Sequence, residues 1–258
     1  MKPVALLLAS LLVAPLALGP ARSAVAAEAS DAASMGARIL QVADQRAAAF
    51  PNQSYEASMA LLNKDGGVKK TMVFTMVMKD LEKQYINFIA PGDVAGMKVL
   101  MEDADTIYIY SPEFQKVRRV AAHTQNQGFL GSEFTPEDMK LAKLSPSFDA
   151  VLVGKTGDET TLTLTPKKEG VTSYAKLEIV IDSKVGGITK IRYIDGSGKA
   201  VREQTRGGWK LYEGTQIPTE IRMKNLKTGD ETVITLSKMD VKTPISDDIF
   251  SRRTLLRG

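Results

Sequence analysis

From Tyr55 to Val241 the sequence is a run of short segments with apolar residues at every second position, divided by tight-turn signals. Tyr55, Ala57, Met59 and Leu61 alternate with Glu56, Ser58 and Ala60, and Lys64-Asp65-Gly66-Gly67 marks a hairpin turn. Lys70–Met78 returns, followed by segments at 84–89, 97–101 and 106–110. Further strands are expected at 150–153, 160–165, 173–182, 188–194, 199–206, 217–226 and 231–241, with turns at Lys155–Asp158, Lys184–Gly187, Asp195–Gly198 and Thr228–Asp230. No helix of crossover length separates these strands, so they pair antiparallel. A sheet of about eleven strands does not stay flat: it curls, splits into a sandwich or closes.

Several strands carry apolar residues on one face only. Leu177, Ile179 and Ile181 alternate with Lys176 and Glu178, and Ile221 and Met223 with Glu220, Arg222 and Lys224. Such a sheet is wet outside and apolar inside. Two helices are available to cover the apolar side. One spans 31–49, with Met35, Ile39, Val42 and Ala43 at helical spacing and Phe50-Pro51-Asn52 as its stop; the other is inserted near 135–143. The fold class is therefore mainly β (α+β), with no linker or internal repeat.

Ahead of this region, Lys2 is followed by the apolar run Val4–Leu18 and the small residues Val25-Ala26-Ala27. That is the pattern of a secretory signal peptide cut after Ala27, leaving 28–258 as a single domain. Lys2 and Arg22 leave with the leader and no acid does, so the formal charge of +4 falls toward balance. Nothing calls for nucleic acid. The chain has no cysteine and one histidine, His123. These counts exclude a thiol nucleophile, thiolate metal sites and an acylated N-terminal cysteine, and they disfavour zinc and Ser-His chemistry. No G-x-S-x-G motif or phosphate loop is present, and no cofactor or metal is expected.

The densest motif is GFLGSEFTPEDM, residues 128–139. Thr135 is a candidate N-cap, and Pro136 suits the first helical position. Glu137 and Asp138 in the first turn face the positive end of the helix dipole. Helix-start chemistry thus explains most of the acids, and a catalytic pair drawn from Glu133, Glu137 and Asp138 is the weaker reading. It leaves Gly128, Phe129, Leu130, Gly131 and Phe134, which suit a hinge or a loop folded back over an apolar surface, or a plug of the core. Six of the eleven methionines lie between Met59 and Met101. With Phe74, Phe88, Ile107 and Ile109, Met59, Met72 and Met76 give either an ordinary core or one apolar wall able to accept varied shapes. Arg118 and Arg119 point to opposite faces if extended. They are either solvated, or one of them reaches the Glu133/Asp138 loop or an acidic ligand group.

The segments INFIAPGDVAGMKVL (86–100), IYIYSPEFQKVRRVA (107–121), GFLGSEFTPEDM (128–139) and PISDDIFSRRTL (244–255), with Ile39, Leu40, Asp44 and Arg46, carry a resemblance. They are similar to the outer-membrane lipoprotein-sorting family of LolA-like periplasmic carriers, in its less characterised branch. The resemblance implies a curled, unclosed antiparallel barrel with an N-terminal helix and a lid helix over an apolar concave face. It implies binding of lipid or lipidated protein rather than catalysis, in the periplasm, with an inner-membrane exporter and an outer-membrane acceptor as partners. On this reading Met59, Met72, Phe74, Met76, Phe88, Ile107 and Ile109 line the cavity. Gly128 to Gly131, Phe134, Thr135 and Met139 form the lid and its hinge, and Arg118, Arg119, Glu133 and Asp138 the latch or head-group contact. An envelope sensor or adaptor of the same fold is the alternative, and a hydrolase using the lid acids a third.

Overall fold

The computed structural model describes residues 20–103, 106–121, 128–168 and 172–257, with side chains from residue 28 onward. Most of the expected leader and His123 lie outside the described residues. No helix among the described residues is long and apolar enough to cross a membrane.

Helix α1 (Pro20–Ala47) leads into a first meander: β1 (Asn52–Leu62), β2 (Val68–Lys79), β3 (Lys83–Ala90), β4 (Lys98–Asp103), β5 (Thr106–Ser111) and β6 (Lys116–Arg119). A connection containing α2 (Pro136–Lys140) follows. The second meander is β7 (Phe148–Thr156), β8 (Glu159–Pro166), β9 (Lys176–Asp182), β10 (Gly187–Ile194) and β11 (Ala200–Gly207). A two-stranded hairpin, β12 (Lys210–Tyr212) and β13 (Thr215–Ile217), precedes β14 (Glu220–Asn225) and β15 (Glu231–Asp240). The chain ends in a 3-10 turn at Asp247–Phe250 and α3 (Arg252–Leu256).

Thirteen strands form one antiparallel sheet in the order β6-β5-β4-β3-β2-β1-β15-β14-β11-β10-β9-β8-β7. Pairing of β1 with β15 joins the two meanders in the middle. The free edges are β6 and β7, so the sheet curls without closing, as the length of the strand run requires. The connection from β6 to β7 links the two edges and carries the GFLGSEFTPEDM motif across the open side.

Among the described residues there are fifteen strands, against the expected eleven or so. The difference lies partly in the 210–217 hairpin, whose three-residue strands are too short to show a period. The expected turns at 195–198 and 228–230 are present, with Gly198 at φ 80° and Gly229 at φ 82°. These left-handed positions suit glycine because it has no Cβ to clash.

Helix α1 buries part of the stripe its periodicity suggested: Ala43 is in the core and Ile39 packs against it. Gly36, Leu40 and Ala43 point inward, while Met35 and Val42 are about half exposed, at 52% and 49%. The reason is steric. A Cβ at Gly36 would stand 2.6 Å from the Ala150 carbonyl oxygen, so α1 lies directly on β7 along its small-residue side.

Two cores fill the concave side. One joins α1 to β7–β10 through Leu40, Phe148, Leu162, Leu164, Leu177 and Tyr193. The other lies under β1–β5 around Met59, Met72, Phe74, Phe88, Met101 and Ile107. A third, small cluster sits on the opposite face, where Phe250 and Leu255 of the C-terminal segment cover Leu100 of β4.

Candidate functional site

Between the two cores lies a cavity of about 310 Å³, walled by strands from both meanders, by the end of α1 and by the connection from β6 to β7. Six of the seven expected wall residues line it: Met59, Phe74, Met76, Phe88, Ile107 and Ile109. Met72, opposite Met59 on β2, is instead fully buried in the core of that half. The rings of Phe74 and Phe88 stand 5.3 Å apart, and Phe129 comes across the opening to within 5.9 Å of Phe88.

Phe129, Phe134, Thr135 and Met139 close one side of the cavity. Gly128 and Gly131 do not line it but shape the turn that delivers Phe129. A Cβ on Gly128 would stand 2.4 Å from the Ser132 carbonyl oxygen, and Gly131 sits at φ 78°. Leu130 adopts φ 54°, a left-handed conformation uncommon for a branched residue, and packs on the Met59–Phe88 core. The turn is held by Phe129 N–H donating to the Phe134 carbonyl at 2.8 Å and by Ser132 N–H donating to the Phe129 carbonyl at 2.9 Å.

The lid acids all have structural partners. Asp138 Oδ2 accepts the Thr135 N–H at 2.7 Å and the Thr135 hydroxyl at 3.0 Å, the reach-back of a helix cap. Buried Glu137 accepts from Ser173 N–H at 3.0 Å, from the Ser173 hydroxyl at 2.9 Å and from the Thr172 hydroxyl. Glu133 accepts from Asn225 Nδ2 at 3.0 Å. At the far end of the connection, Asp44 of α1 accepts the N–H groups of Leu144 and Ser145, the latter at 2.6 Å.

The cation paired with Asp138 is Arg202 of β11. Arg202 Nη2 donates to Asp138 Oδ2 at 2.6 Å and to the Glu133 carbonyl at 2.5 Å, and Nη1 donates to the Tyr174 hydroxyl at 2.5 Å. Its guanidinium also lies 5.0 Å from the centre of the Tyr193 ring. Burial opposes the Arg202 charge, but Asp138 and the two tyrosines outweigh it and raise the pKa above its ordinary value. Arg118 and Arg119 stand on edge strand β6, where Arg118 stacks on Phe114 at 5.7 Å. Both line a more open depression beside that edge.

A signal for Arg202 was present in the sequence. The segment Ala200–Gly207 has polar residues on both faces, although its strand lies in mid-sheet among strands with an apolar face. Arg202, Gln204 and Arg206 share one face at the two-residue period, and Gln204 and Arg206 line the cavity.

Among the described residues, no group of three or more His, Cys, Asp or Glu side chains could hold a metal ion. No curated protein matches the chain. Three solved structures share its fold. A DUF1329 family protein from Desulfovibrio piger superposes with a TM-score of 0.80 at 24% identity, covering 87% of this chain and 99% of that one. A protein described as an outer membrane lipoprotein-sorting domain, from Vibrio parahaemolyticus, gives 0.76 at 21% identity over 87% and 100%. A LolA superfamily protein from Nitrosomonas europaea gives 0.70 at 20% identity over 85% and 99%. A family model described as "Uncharacterized protein" matches residues 80–257. With most of its length matched by that model, the chain belongs to that family, and its fold is the open LolA-like barrel.

Proposed function

We propose that the protein is a periplasmic carrier that holds the acyl chains of a lipid or lipidated protein between the curled sheet and its lid, on the way to the outer membrane. The observation that carries this reading is the cavity itself. Methionine, isoleucine and phenylalanine side chains from four strands of the first meander line it, and Phe129 is turned onto them from a connection tied down by hydrogen bonds. Apolar burial supplies the affinity in such a site, about 0.8 kcal/mol per methylene before ordering costs. Flexible methionines suit chains without one fixed shape.

The latch supports a lid that opens. Asp138 Oδ1 and Arg202 Nε are buried without a hydrogen-bond partner. An ion pair buried with part of its capacity unmet returns little net stability, so its closed state lies near balance with an open one. The lid acids are engaged in cap and tether bonds, which favours a holding role over acid–base chemistry. The sequence likeness to lipoprotein-sorting proteins and the expected leader support the periplasmic setting.

The test is direct. Protein isolated from its native envelope is expected to carry lipid in native mass spectrometry. Once stripped, it is expected to take up a fluorescent fatty acyl probe, which Phe88→Asp abolishes. Absence of both lipid and uptake overturns the carrier reading.

A further inference from the structure

The polar face of β11 does more than hold the lid. Arg202 is committed to Asp138, but Arg206, two positions further along that face, has no such partner. Its Nε donates to Gln204 Oε1 at 2.9 Å. No carboxylate among the described residues forms an ion pair with it. The carboxylate whose charge reaches it is Asp44, and both Asp44 oxygens already accept the N–H groups of the lid connection. A guanidinium carries several donors, so most of those on Arg206 are unengaged.

The surroundings are arranged to admit it. Trp209 Nε1 donates to the Arg206 carbonyl at 3.2 Å, and the Trp209 ring occupies the place where a Cβ on Gly187 would be, 2.7 Å away. Arg46, in the last turn of α1, enters over Gly186 in the same way and likewise makes no ion pair among the described residues. Gln216 presents a buried Oε1 with no partner. All of these line the cavity, together with the apolar wall of the first meander and the engaged carboxylates Asp44 and Asp138. Burial pulls the Arg206 guanidinium below its ordinary pKa, yet an arginine stays charged. A half-buried cation with no ion-pair partner favours a counter-charge.

We propose that this end of the cavity is an anion subsite, in which Arg206, with Arg46 at the rim, takes the ionised carboxylate or phosphate at the head of an acyl ligand. Charge-assisted, two-pronged contact with such oxygens is the chemistry a guanidinium serves best. The inference rests on the acyl-carrier reading and deepens it: the tail lies along the Met59–Ile109 wall and the head points to β11.

The experiment is competition for a neutral pyrene-labelled hexadecanol bound to purified, lipid-stripped protein, at about pH 8 so that carboxylates are ionised. The competitors are hexadecanol, hexadecanoate and hexadecyl phosphate. At least one anion is expected to compete about tenfold better than the alcohol, and the preferred one identifies the head group. Arg206→Gln is expected to remove that preference, read as the ratio of anion to hexadecanol affinity within the variant. Arg206→Lys should keep part of it, and Arg46→Gln should weaken it less. Equal competition by all three ligands overturns the subsite and leaves the carrier reading standing. Failure of every ligand, probe included, overturns both. The comparison on the unmodified protein decides the matter even if a variant folds poorly.

Discussion

On the carrier reading, a single side chain, Arg202, sets the cost of the closed lid. It joins Asp138, the Glu133 carbonyl and Tyr174 at one buried point. Removing only the cation strands a buried carboxylate, which typically costs about 3–5 kcal/mol. Arg202→Met is therefore expected to lower the urea midpoint strongly at neutral pH, and Arg202→Met with Asp138→Leu to recover most of the loss. If the double variant is no more stable than the single one, the pair is not acting as a pair. The turn ahead of it makes a second demand. Gly128→Ala drives a Cβ into the Ser132 carbonyl, so the Phe129 side chain should lose its position. Loss of acyl-probe affinity without loss of secondary structure by circular dichroism would be the sign. At this scale the sequence was readable only where the chemistry is local. Thr135 and Asp138 are three residues apart, and the helix start they mark is present. Arg202 lies 64 residues from Asp138, and nothing local links the two in sequence.

Among the elements, α1 and the C-terminal segment are fixed by opposite means. Helix α1 is seated by the absence of a side chain. Gly36→Ala puts a Cβ 2.6 Å from backbone that cannot yield locally, so the helix must lift from β7, a change that costs about 1–3 kcal/mol in a packed core. A lower melting temperature is the expected readout. Helical spacing ranked Met35 and Val42 with Ile39 and Ala43, because it cannot foresee that close approach needs glycine. The C-terminal segment is seated partly by charge: Asp247 meets Lys79 and Lys83, each at 2.9 Å. The hydrogen bonds from Lys83 and Lys79 depress its pKa from 3.8 to about 2. A depressed carboxylate adds stability above its unfolded pKa and loses it as pH falls through the folded value. The stability difference between the unmodified protein and Asp247→Asn should thus be present at neutral pH, shrink between about pH 4 and pH 2, and diminish in high salt because the pair is exposed. A difference that grows on acidification would contradict this assignment. The strands themselves were the most legible elements, since a one-sided period of two and left-handed turn glycines specify antiparallel hairpins without reference to distant contacts.

For the whole molecule, the proposed lid follows from the topology. The sheet's two edges, β6 and β7, are joined by a connection whose described residues line one side of the cavity. Its far end is tethered to α1 through Asp44, and its middle to β11 through Arg202. Opening then means releasing the middle while the ends stay attached. The cysteine-free chain lets this be measured with one introduced thiol. Met139 lines the cavity from the lid, whereas Lys155 is exposed on β7. In the ligand-free protein, Met139→Cys is expected to react with a maleimide more slowly than Lys155→Cys, because only the open population presents it. A ligand can shift that population only by binding one state better than the other. Hexadecanoate contacts both wall and lid in the closed state, so it should slow Met139→Cys further and leave Lys155→Cys unchanged. Arg202→Met should speed Met139→Cys in the absence of ligand. If Met139→Cys reacts as fast as the exposed control, the lid does not cover the cavity in solution. If hexadecanoate occupies the site without changing the rate, holding the chain and closing the lid are separate events.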